Sequence, residues 1–366
     1  MKDEFSREEM CCLWLQYAPV SAWRGIDRLL NEYGSASGIY DSFSTAMAEM
    51  IGKDGFTILN GLRSKGPDVL LAELDNAGIH PVLRPGEGYP SRLRAIPSPP
   101  RGLFVMGQLP DNDSPAVAIV GSRRDTRYGR AQAKRIAREL AESSVVIVSG
   151  LARGIDTAAH EGALEGGGIT VAVLGNGLPD IYPGENRSLA DRIISSGGAV
   201  ISEYAPGAKP LGYHFPIRNR IISGLSDAVL LIEALRKSGT ASTVHHALSQ
   251  GREIFALPGN VDAPGSELPL QLLKEGAGLC TCGEDILSGM GWRRAVRQMR
   301  FSDLMGLSEE DRSDPILSAL EKEEKTFEEL LDETGLSLQE INTSLTLLEL
   351  EGRIEKRGGR AYALRR

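Results

Sequence analysis

Short apolar segments rich in valine and isoleucine recur about every 25 to 29 residues in the middle of the chain. Each interval has room for one strand, a crossover helix and the return to the next parallel strand. The segments start near Val117, Val145, Thr170, Ala199, Ala228, Glu253 and Leu279. Helical patterns fill the gaps at Ala131–Leu140, Ile155–Leu164, Leu189–Ile194, Thr243–Leu248 and Leu270–Leu273. Continuous apolar strands are typical of a sheet covered on both faces, so we predict a doubly wound parallel α/β domain.

The sequence before this domain has a different pattern of apolar residues. Residues 5–60 predict a small helical module with helices at Glu8–Gln16, Ala22–Tyr33 and Ser42–Met50. A proline-rich connector follows, because successive prolines disfavour helix on either side. Two apolar pieces, Ile79–Leu83 and Leu103–Gly107, are expected to add strands to the edge of the main sheet.

The C-terminal part predicts three helices followed by a hairpin. Pro315 opens the first helix, Thr326 caps the second (Phe327–Thr334) and Ser337 caps the third (Leu338–Glu351). Alternating segments at Arg353–Lys356 and Arg360–Leu364 then flank two glycines, which favours a β-hairpin. This pattern predicts a winged helix. We therefore divide the chain into a helical module (1–68), an α/β domain (69–290), a linker with some helix (291–312) and a winged-helix domain (313–366).

Composition places few limits on partners but several on location. The formal net charge is −8, yet seven basic residues fall between Ser122 and Arg138 and six lie in Arg353–Arg366. The distribution of charge is therefore more informative than its sum. Four cysteines form neither a disulfide framework nor paired zinc motifs, and no apolar run approaches a bilayer span. With no signal-peptide pattern at the start, we expect a soluble cytoplasmic protein without membrane contact.

Glycines and small residues follow several of the predicted strands. Gly121-Ser122-Arg123 follows the first strand, and the segment from Ser149 to Gly154, which includes Arg153, follows the second. Ligands of doubly wound sheets bind beyond the carboxyl ends of the strands, where loop amides and helix N-termini favour anions. Glycines that serve only tight turns are the alternative. Two arginines at equivalent positions favour a phosphate site.

No enzyme signature accompanies this site. Gly175-Asn176-Gly177 lacks the third glycine of a dinucleotide fingerprint, since Asp180 stands there. The P-loop, HExxH and GxSxG motifs are absent as well. Asp156 and His160 lie four residues apart on one helix, a spacing more often found in a cap plus a surface contact than in a catalytic pair. We therefore predict no catalytic residue, no metal and no cofactor.

A second basic segment starts at Phe215-Pro216. Arg218 and Arg220 flank Asn219 at what the preceding proline predicts is a helix start. A helix N-terminus is an unfavourable place for two cations unless an anion binds there. A solvent-exposed helix end is the alternative.

Five segments together resemble the DNA-processing protein A (DprA/Smf) family. They are AIVGSR (118–123), SGLARGIDTAAH (149–160), AVLGNGLPDIYPGEN (172–186), FPIRNRIISGLS (215–226) and FALPG (255–259). The resemblance covers nearly the whole chain. It implies an extended Rossmann-like domain that binds single-stranded DNA, a sterile-alpha-motif-like (SAM-like) N-terminal module and, in several members, a winged helix. It further implies protection of incoming strands in natural transformation, loading of the RecA recombinase and a homodimer formed through the Rossmann-like domain.

Motif positions then give the expected DNA-binding residues. They are Gly121, Ser122, Arg123, Arg153, Gly154, Arg187, Arg218, Asn219, Arg220, Gly239 and Thr240. The last two lie in a small polar turn that resembles the family's serine-glycine-serine-leucine turn. A rim of backbone amides and arginines follows a phosphate backbone without reading bases. Tyr182, Tyr204 and Phe215 are candidates to stack on a base, with burial in the core as the alternative for each.

Two other functions stay open at this stage. Gly239-Thr240 faintly resembles the glycine-threonine turn of Rossmann-like nucleoside-phosphate hydrolases, although the full PGGxGTxxE run is absent. The terminal wing would also suit a nucleotide-sensing regulator. The third helix of the winged unit lacks lysine and arginine, so we weigh protein contact equally with DNA contact for that unit.

Overall fold

The computed structural model describes residues 5–292, 315–320, 323–350, 353–357 and 361–364. The described residues form two compact units, one within Met1–Arg294 and the other within Ala295–Arg366. The predicted linker from 291 to 312 lies outside the described residues except for Gly291 and Trp292.

Five helices form the N-terminal module of the larger unit. They are α1 (Arg7–Gln16), α2 (Trp23–Tyr33), α3 (Ala36–Ser42), α4 (Ala48–Lys65) and α5 (Pro67–Asn76). Ser6 and Glu9 form a capping box that starts α1. The predicted helix Ser42–Met50 is wrong, because α3 ends at Ser42 and the backbone is extended at Ser44. Phe43 instead turns into the core, where its ring lies edge-on to buried Trp14 at 5.0 Å.

A nine-stranded sheet follows, in the order β1-β2-β6-β5-β4-β3-β7-β8-β9. The strands are β1 (His80–Leu83), β2 (Gly102–Gly107), β3 (Ala116–Val120), β4 (Val146–Ser149), β5 (Thr170–Leu174), β6 (Ala199–Ser202), β7 (Ala228–Leu231), β8 (Glu253–Ala256) and β9 (Gly278–Leu279). Strands β3 to β9 are parallel, as predicted, and β1 and β2 extend one edge antiparallel. The order reverses between β3 and β7, the kind of position at which doubly wound sheets commonly bind ligands beyond the carboxyl ends of the strands.

Helices cover both faces of this sheet. They are α6 (Ser91–Arg94), α7 (Arg127–Glu142), α8 (Ile155–Glu165), α9 (Arg187–Ser195), α10 (His214–Gly224), α11 (Gly239–Ser249), α12 (Glu267–Lys274) and α13 (Gly283–Gly289). Val117 and Ile119 of β3 pack with α7, α8 and α13, while Ala118 and Val120 belong to the opposite core with α10, α11 and α12. The two-sided burial confirms the interpretation of the continuous apolar strands.

The smaller unit is a winged helix. Its elements are α14 (Pro315–Leu320), β10 (Lys325–Thr326), α15 (Phe327–Thr334), α16 (Leu338–Leu350), β11 (Ile354–Arg357) and β12 (Ala361–Leu364). Thr326 and Glu329 form a capping box for α15, and Gly335 ends that helix with a left-handed φ of 66°. The predicted hairpin is present as β11 paired with β12, and β10 adds a third strand that the sequence pattern did not predict.

Candidate functional site

Two loops at the carboxyl edge of the sheet pack directly on each other. The loop after β3 starts at Gly121-Ser122, and the loop after β4 ends at Gly154. Ile155 donates its backbone N–H to the Ser122 carbonyl at 3.2 Å. Gly154 has a φ of +80°, and a Cβ there would stand 2.3 Å from the same carbonyl oxygen. A Cβ on Gly121 would meet Ile155 at 2.7 Å. Both glycines are therefore needed for close packing, which brings the two loops to one place.

A surface pocket lies where these loops meet the segments that follow β5 and β6. It is lined by Arg123, Gly150, Ala152, Arg153, Tyr182, Pro183 and Phe215. The guanidinium of Arg123 lies over the Phe215 ring at 4.9 Å, and the Tyr182 ring is 5.7 Å from Phe215. The pocket thus combines exposed cations with aromatic faces. That combination suits a nucleotide unit, which has an anionic phosphate and a flat base.

Arg153 lies at this pocket but is paired with Glu185. Its Nε and Nη2 donate to the two carboxylate oxygens at 2.7 and 2.9 Å, and both side chains are exposed. The hydrogen bonds raise the pKa of Arg153 and lower the pKa of Glu185. A phosphate that approaches Arg153 therefore competes with the Glu185 carboxylate for the N–H donors of the Arg153 guanidinium.

Arg218 is not at a helix start, contrary to prediction. Helix α10 begins at His214 and accommodates Pro216 in its first turn, which places Arg218 in the second turn, only 3% exposed. Its guanidinium donates to the carbonyl of Gly150, at 2.8 Å, and to that of Val173. Burial lowers the pKa of Arg218 to about 10. The side chain therefore ties together the ends of β4 and β5 beneath the pocket.

The two residues after Arg218 also bind protein groups. Arg220 forms a buried bidentate ion pair with Glu203. Asn219 donates its amide to the Gly239 carbonyl at 3.1 Å and to Ser242 Oγ at 2.8 Å. These contacts connect α10 to β6 and to the start of α11. With the contacts of Arg218, they account for the arginines on either side of Asn219 without an anion at a helix end.

The remaining predicted residues are near the rim but outside the pocket. Thr240, in the first turn of α11, donates its hydroxyl to the Gly121 carbonyl at 3.1 Å and so holds the loop after β3. Gly239 and Arg187 are exposed at the starts of α11 and α9. Their contact with DNA stays a prediction.

His160, Asp156 and Glu233, three buried titratable side chains near the rim, are each hydrogen-bonded within the protein. His160 is fully buried with Nδ1 2.7 Å from Thr170 Oγ1, and burial lowers its pKa to about 3. Asp156 accepts the backbone N–H groups of Gly150 and Ala152, and burial raises its pKa to about 6. Glu233 accepts two hydrogen bonds from Thr126, at 2.9 and 2.5 Å, and fixes the start of α7.

Surveys of the described residues find neither a metal cluster nor a membrane span. No group of three or more His, Cys, Asp and Glu side chains is arranged to hold a metal ion. Within the same residues, every helix is too short or too polar to cross a bilayer.

Sequence reasoning missed Tyr213. This residue is 57% exposed and stands two positions before Phe215, and its ring lies edge-on to His214, with ring centroids 4.7 Å apart. Of the three predicted aromatics, Tyr204 is buried, Tyr182 is exposed and Phe215 is half-buried. A signal was present in the run Tyr213–Phe215, where three successive ring side chains precede a helix.

Two of the cations described in the winged unit are paired with carboxylates. Arg357 in β11 pairs with Glu324 at 2.6 Å and with Glu355 at 2.8 Å, and Lys325 pairs with Glu333 at 2.9 Å. The sequence of α16 contains neither lysine nor arginine. Helix α16 therefore offers no positive side chain to a phosphate backbone.

Comparisons with known proteins agree with this architecture. Residues 82–291 match the family described as DNA recombination-mediator protein A, and residues 307–360 match the DprA winged helix domain. Protein Smf of Escherichia coli is 36% identical over 97% of this chain and 96% of its own length. The chain belongs to the DNA recombination-mediator protein A (DprA/Smf) family.

Two solved structures of this family share the fold. The structure of DNA processing protein A from Streptococcus pneumoniae is 34% identical with a TM-score of 0.60, covering 78% of this chain and 98% of that one. DNA processing protein A from Helicobacter pylori is 31% identical with a TM-score of 0.52, covering 58% and 95%. The latter structure was described for its unique single-stranded DNA binding mode. The Rossmann-like fold and the winged helix predicted from the sequence are confirmed.

Proposed function

We propose that this protein binds single-stranded DNA at the carboxyl edge of its sheet. The observation that carries the proposal is the pocket in which Arg123 and Arg153 meet Tyr182 and Phe215. The arginines would hold phosphates, and the rings would stack on bases of any identity. Exposed Arg187 and Gly239 and the partly exposed loop from Gly121 to Arg123 would extend the track along the rim, and buried Gly154 would hold that loop in place.

Single strands should be preferred over duplex at this site. Base faces are accessible to Tyr182 and Phe215 only when the bases are unpaired and unstacked, and duplex DNA hides them. Helix α16 of the winged unit, the usual reader of a major groove in this fold, carries neither lysine nor arginine. The described single-strand binding of the H. pylori relative supports the same partner.

A biological role follows from this partner. We propose that the protein protects incoming strands during natural transformation and homologous recombination and loads the RecA recombinase onto them, in the cytoplasm. Its family's description as a recombination mediator supports the role.

We also propose that the chain is divided into four segments, with boundaries near residues 68, 290 and 312.

A homodimer formed through the Rossmann-like domain is part of the proposal. Leu248, Val261 and Leu279 expose between 56% and 79% of their surface around the β8 and β9 end of the sheet. Apolar side chains exposed on elements near one edge of the sheet support a protein contact there. Gel filtration with light scattering tests the dimer. The parent should be a dimer, and Leu279→Glu should convert it to a monomer. A parent that elutes as a monomer would remove dimerisation from the proposal.

We propose no catalytic activity and no cofactor. In the hydrolase alternative, a glycine-threonine turn would act with a glutamate, but Thr240 donates to the Gly121 carbonyl and Glu233 is occupied by Thr126. Both side chains are hydrogen-bonded within the protein in this arrangement, which supports the proposal.

Fluorescence anisotropy with labelled oligonucleotides tests the function. We expect tighter binding to single strands than to blunt duplex at matched salt, with little base preference and a strong loss of affinity as salt increases. Equal affinity for the two forms would contradict the proposal. Nucleotide-hydrolysis and mononucleotide-binding assays on the same preparation distinguish the hydrolase and regulator alternatives.

A further inference from the structure

Three aromatic rings join the helical module to the sheet. Trp23, the first residue of α2, stacks on Tyr204 with ring centroids 5.7 Å apart and planes inclined by 20°. Tyr204 in turn stacks on His214 at 4.1 Å and 18°. The series of rings therefore runs from the module to the first residue of α10.

This series ends beside the pocket. His214 directly precedes Phe215, whose ring lines the pocket beneath Arg123. The Tyr204 hydroxyl donates to the His214 carbonyl at 2.9 Å, and His214 Nδ1 lies 3.1 Å from the Gly175 carbonyl oxygen. These contacts fix His214, whose ring stacks on Tyr204, and so they fix the residue that directly precedes Phe215.

The module also holds the end of β6 through its backbone. Gln16 donates its amide to the Glu203 carbonyl at 2.5 Å, one residue before Tyr204. Trp23 is itself oriented, since its Nε1 donates to the Ala18 carbonyl at 3.1 Å and Arg101 donates to the Trp23 carbonyl at 3.3 Å. The indole therefore presents a fixed face to Tyr204.

We infer that Trp23 is a positioning residue for the DNA pocket. It acts through Tyr204 and His214 on Phe215, so the helical module contributes to single-strand affinity without contacting the strand. This inference rests on the proposed function, because it assumes that Phe215 contacts DNA. A stacked aromatic pair is a specific contact that an aliphatic side chain of similar bulk does not replace.

The test is a double-mutant cycle read as single-strand affinity in the full chain. Trp23→Leu should weaken binding about threefold to tenfold, and Trp23→Phe, which keeps a ring, should restore most of it. Tyr33→Leu, at the opposite end of the same helix and on the surface, is the matched control and should bind like the parent. In a Phe215→Leu background, Trp23→Leu should cause little additional loss.

A purely structural role for Trp23 gives a different pattern. In that case Trp23→Leu would lower the thermal midpoint and would weaken binding by the same factor whether Phe215 is present or replaced. Such additive losses would overturn the inference and leave the proposed function intact. Parent-like affinity of Trp23→Leu would overturn it equally. A parent that does not bind single strands would overturn both proposals.

Discussion

Arg220 and Glu203 form a bidentate ion pair inside the protein. Arg220 Nη2 lies 2.6 Å from Glu203 Oε1, and Nη1 lies 2.8 Å from Oε2. The side chains are 11% and 4% exposed, and Arg220 also donates to the carbonyls of Ser98 and Ile217. The pair anchors α10 to the end of β6, so its geometry favours a structural role over direct contact with DNA.

Loss of one partner in this pair should destabilise the fold. Arg220→Ala leaves the Glu203 carboxylate buried without its counter-charge, and such a change typically costs about 3–5 kcal/mol in the free energy of unfolding. Urea denaturation monitored by circular dichroism measures it. A variant with parent-like stability but no single-strand binding would instead place Arg220 in direct contact with DNA.

Arg123 should carry a direct phosphate contact. Its side chain is exposed at the pocket and stacks on Phe215. Arg123→Gln should weaken single-strand binding about tenfold to a hundredfold, as expected for a charge-assisted hydrogen bond worth about 1.5–3 kcal/mol. The slope of log affinity against log salt should fall by about one ion. The thermal midpoint should stay within a few degrees, because an exposed arginine contributes little to the core.

Arg138→Gln is the matched control for this experiment. Arg138 is also exposed and lies on α7, but three turns farther from the rim. It should retain parent affinity. Equal losses from both substitutions would show that the effect of Arg123 is one of net charge and not of a local contact.

Removal of the carboxylate that occupies Arg153 should strengthen binding. Glu185→Gln frees the Arg153 fork and removes a negative charge beside the expected path of the phosphates. Because an exposed ion pair contributes little, we expect a gain of up to about fivefold in single-strand affinity at low salt, decreasing as salt screens the charges. Weaker binding would mean that Glu185 orients Arg153 for the phosphate.

Periodicity made the fold predictable from the sequence. Seven apolar segments at nearly constant spacing allow few arrangements other than a parallel sheet, and the carboxyl ends of parallel strands share one edge. For that reason Arg123 and Arg153, which follow β3 and β4, were predicted together and lie at one pocket.

The surroundings of α10 were not predictable in the same way. Pro216 indicated a helix start, but the helix begins two residues earlier, and that shift places Arg218 and Arg220 inside the protein. Their acceptors are the carbonyls of Gly150 and Val173 and the carboxylate of Glu203, which lie in or directly after β4, β5 and β6. Trp23 and Tyr204, which stack on each other, are likewise far apart in the sequence. Such pairings depend on tertiary packing and leave no local pattern.

His160 should make the protein sensitive to acid. Burial, and then the positive charge of Arg218, lower its pKa from 6.5 to about 3. Between these two values the unfolded chain binds a proton that the folded chain does not, so the stabilisation is complete above pH 6.5 and is lost as pH falls toward 3. Between pH 7.5 and 5 the loss from this group is about 2 kcal/mol, at about 1.4 kcal/mol per pH unit.

The substitution His160→Asn isolates this effect. Asp156 acts in the opposite direction. Its pKa is raised to about 6, so its contribution to the free energy of unfolding is lost as pH rises through that value. Because Asp156 is present in both proteins, its effect cancels in their difference. We therefore compare the difference in free energy of unfolding between parent and variant, measured by urea denaturation at pH 7.5, 6 and 5. The parent should be the more stable protein at pH 7.5, since the variant loses a packed ring, and its advantage should shrink by about 2 kcal/mol at pH 5. A difference that stays constant across this range would show that His160 is protonated equally in the folded and unfolded chains.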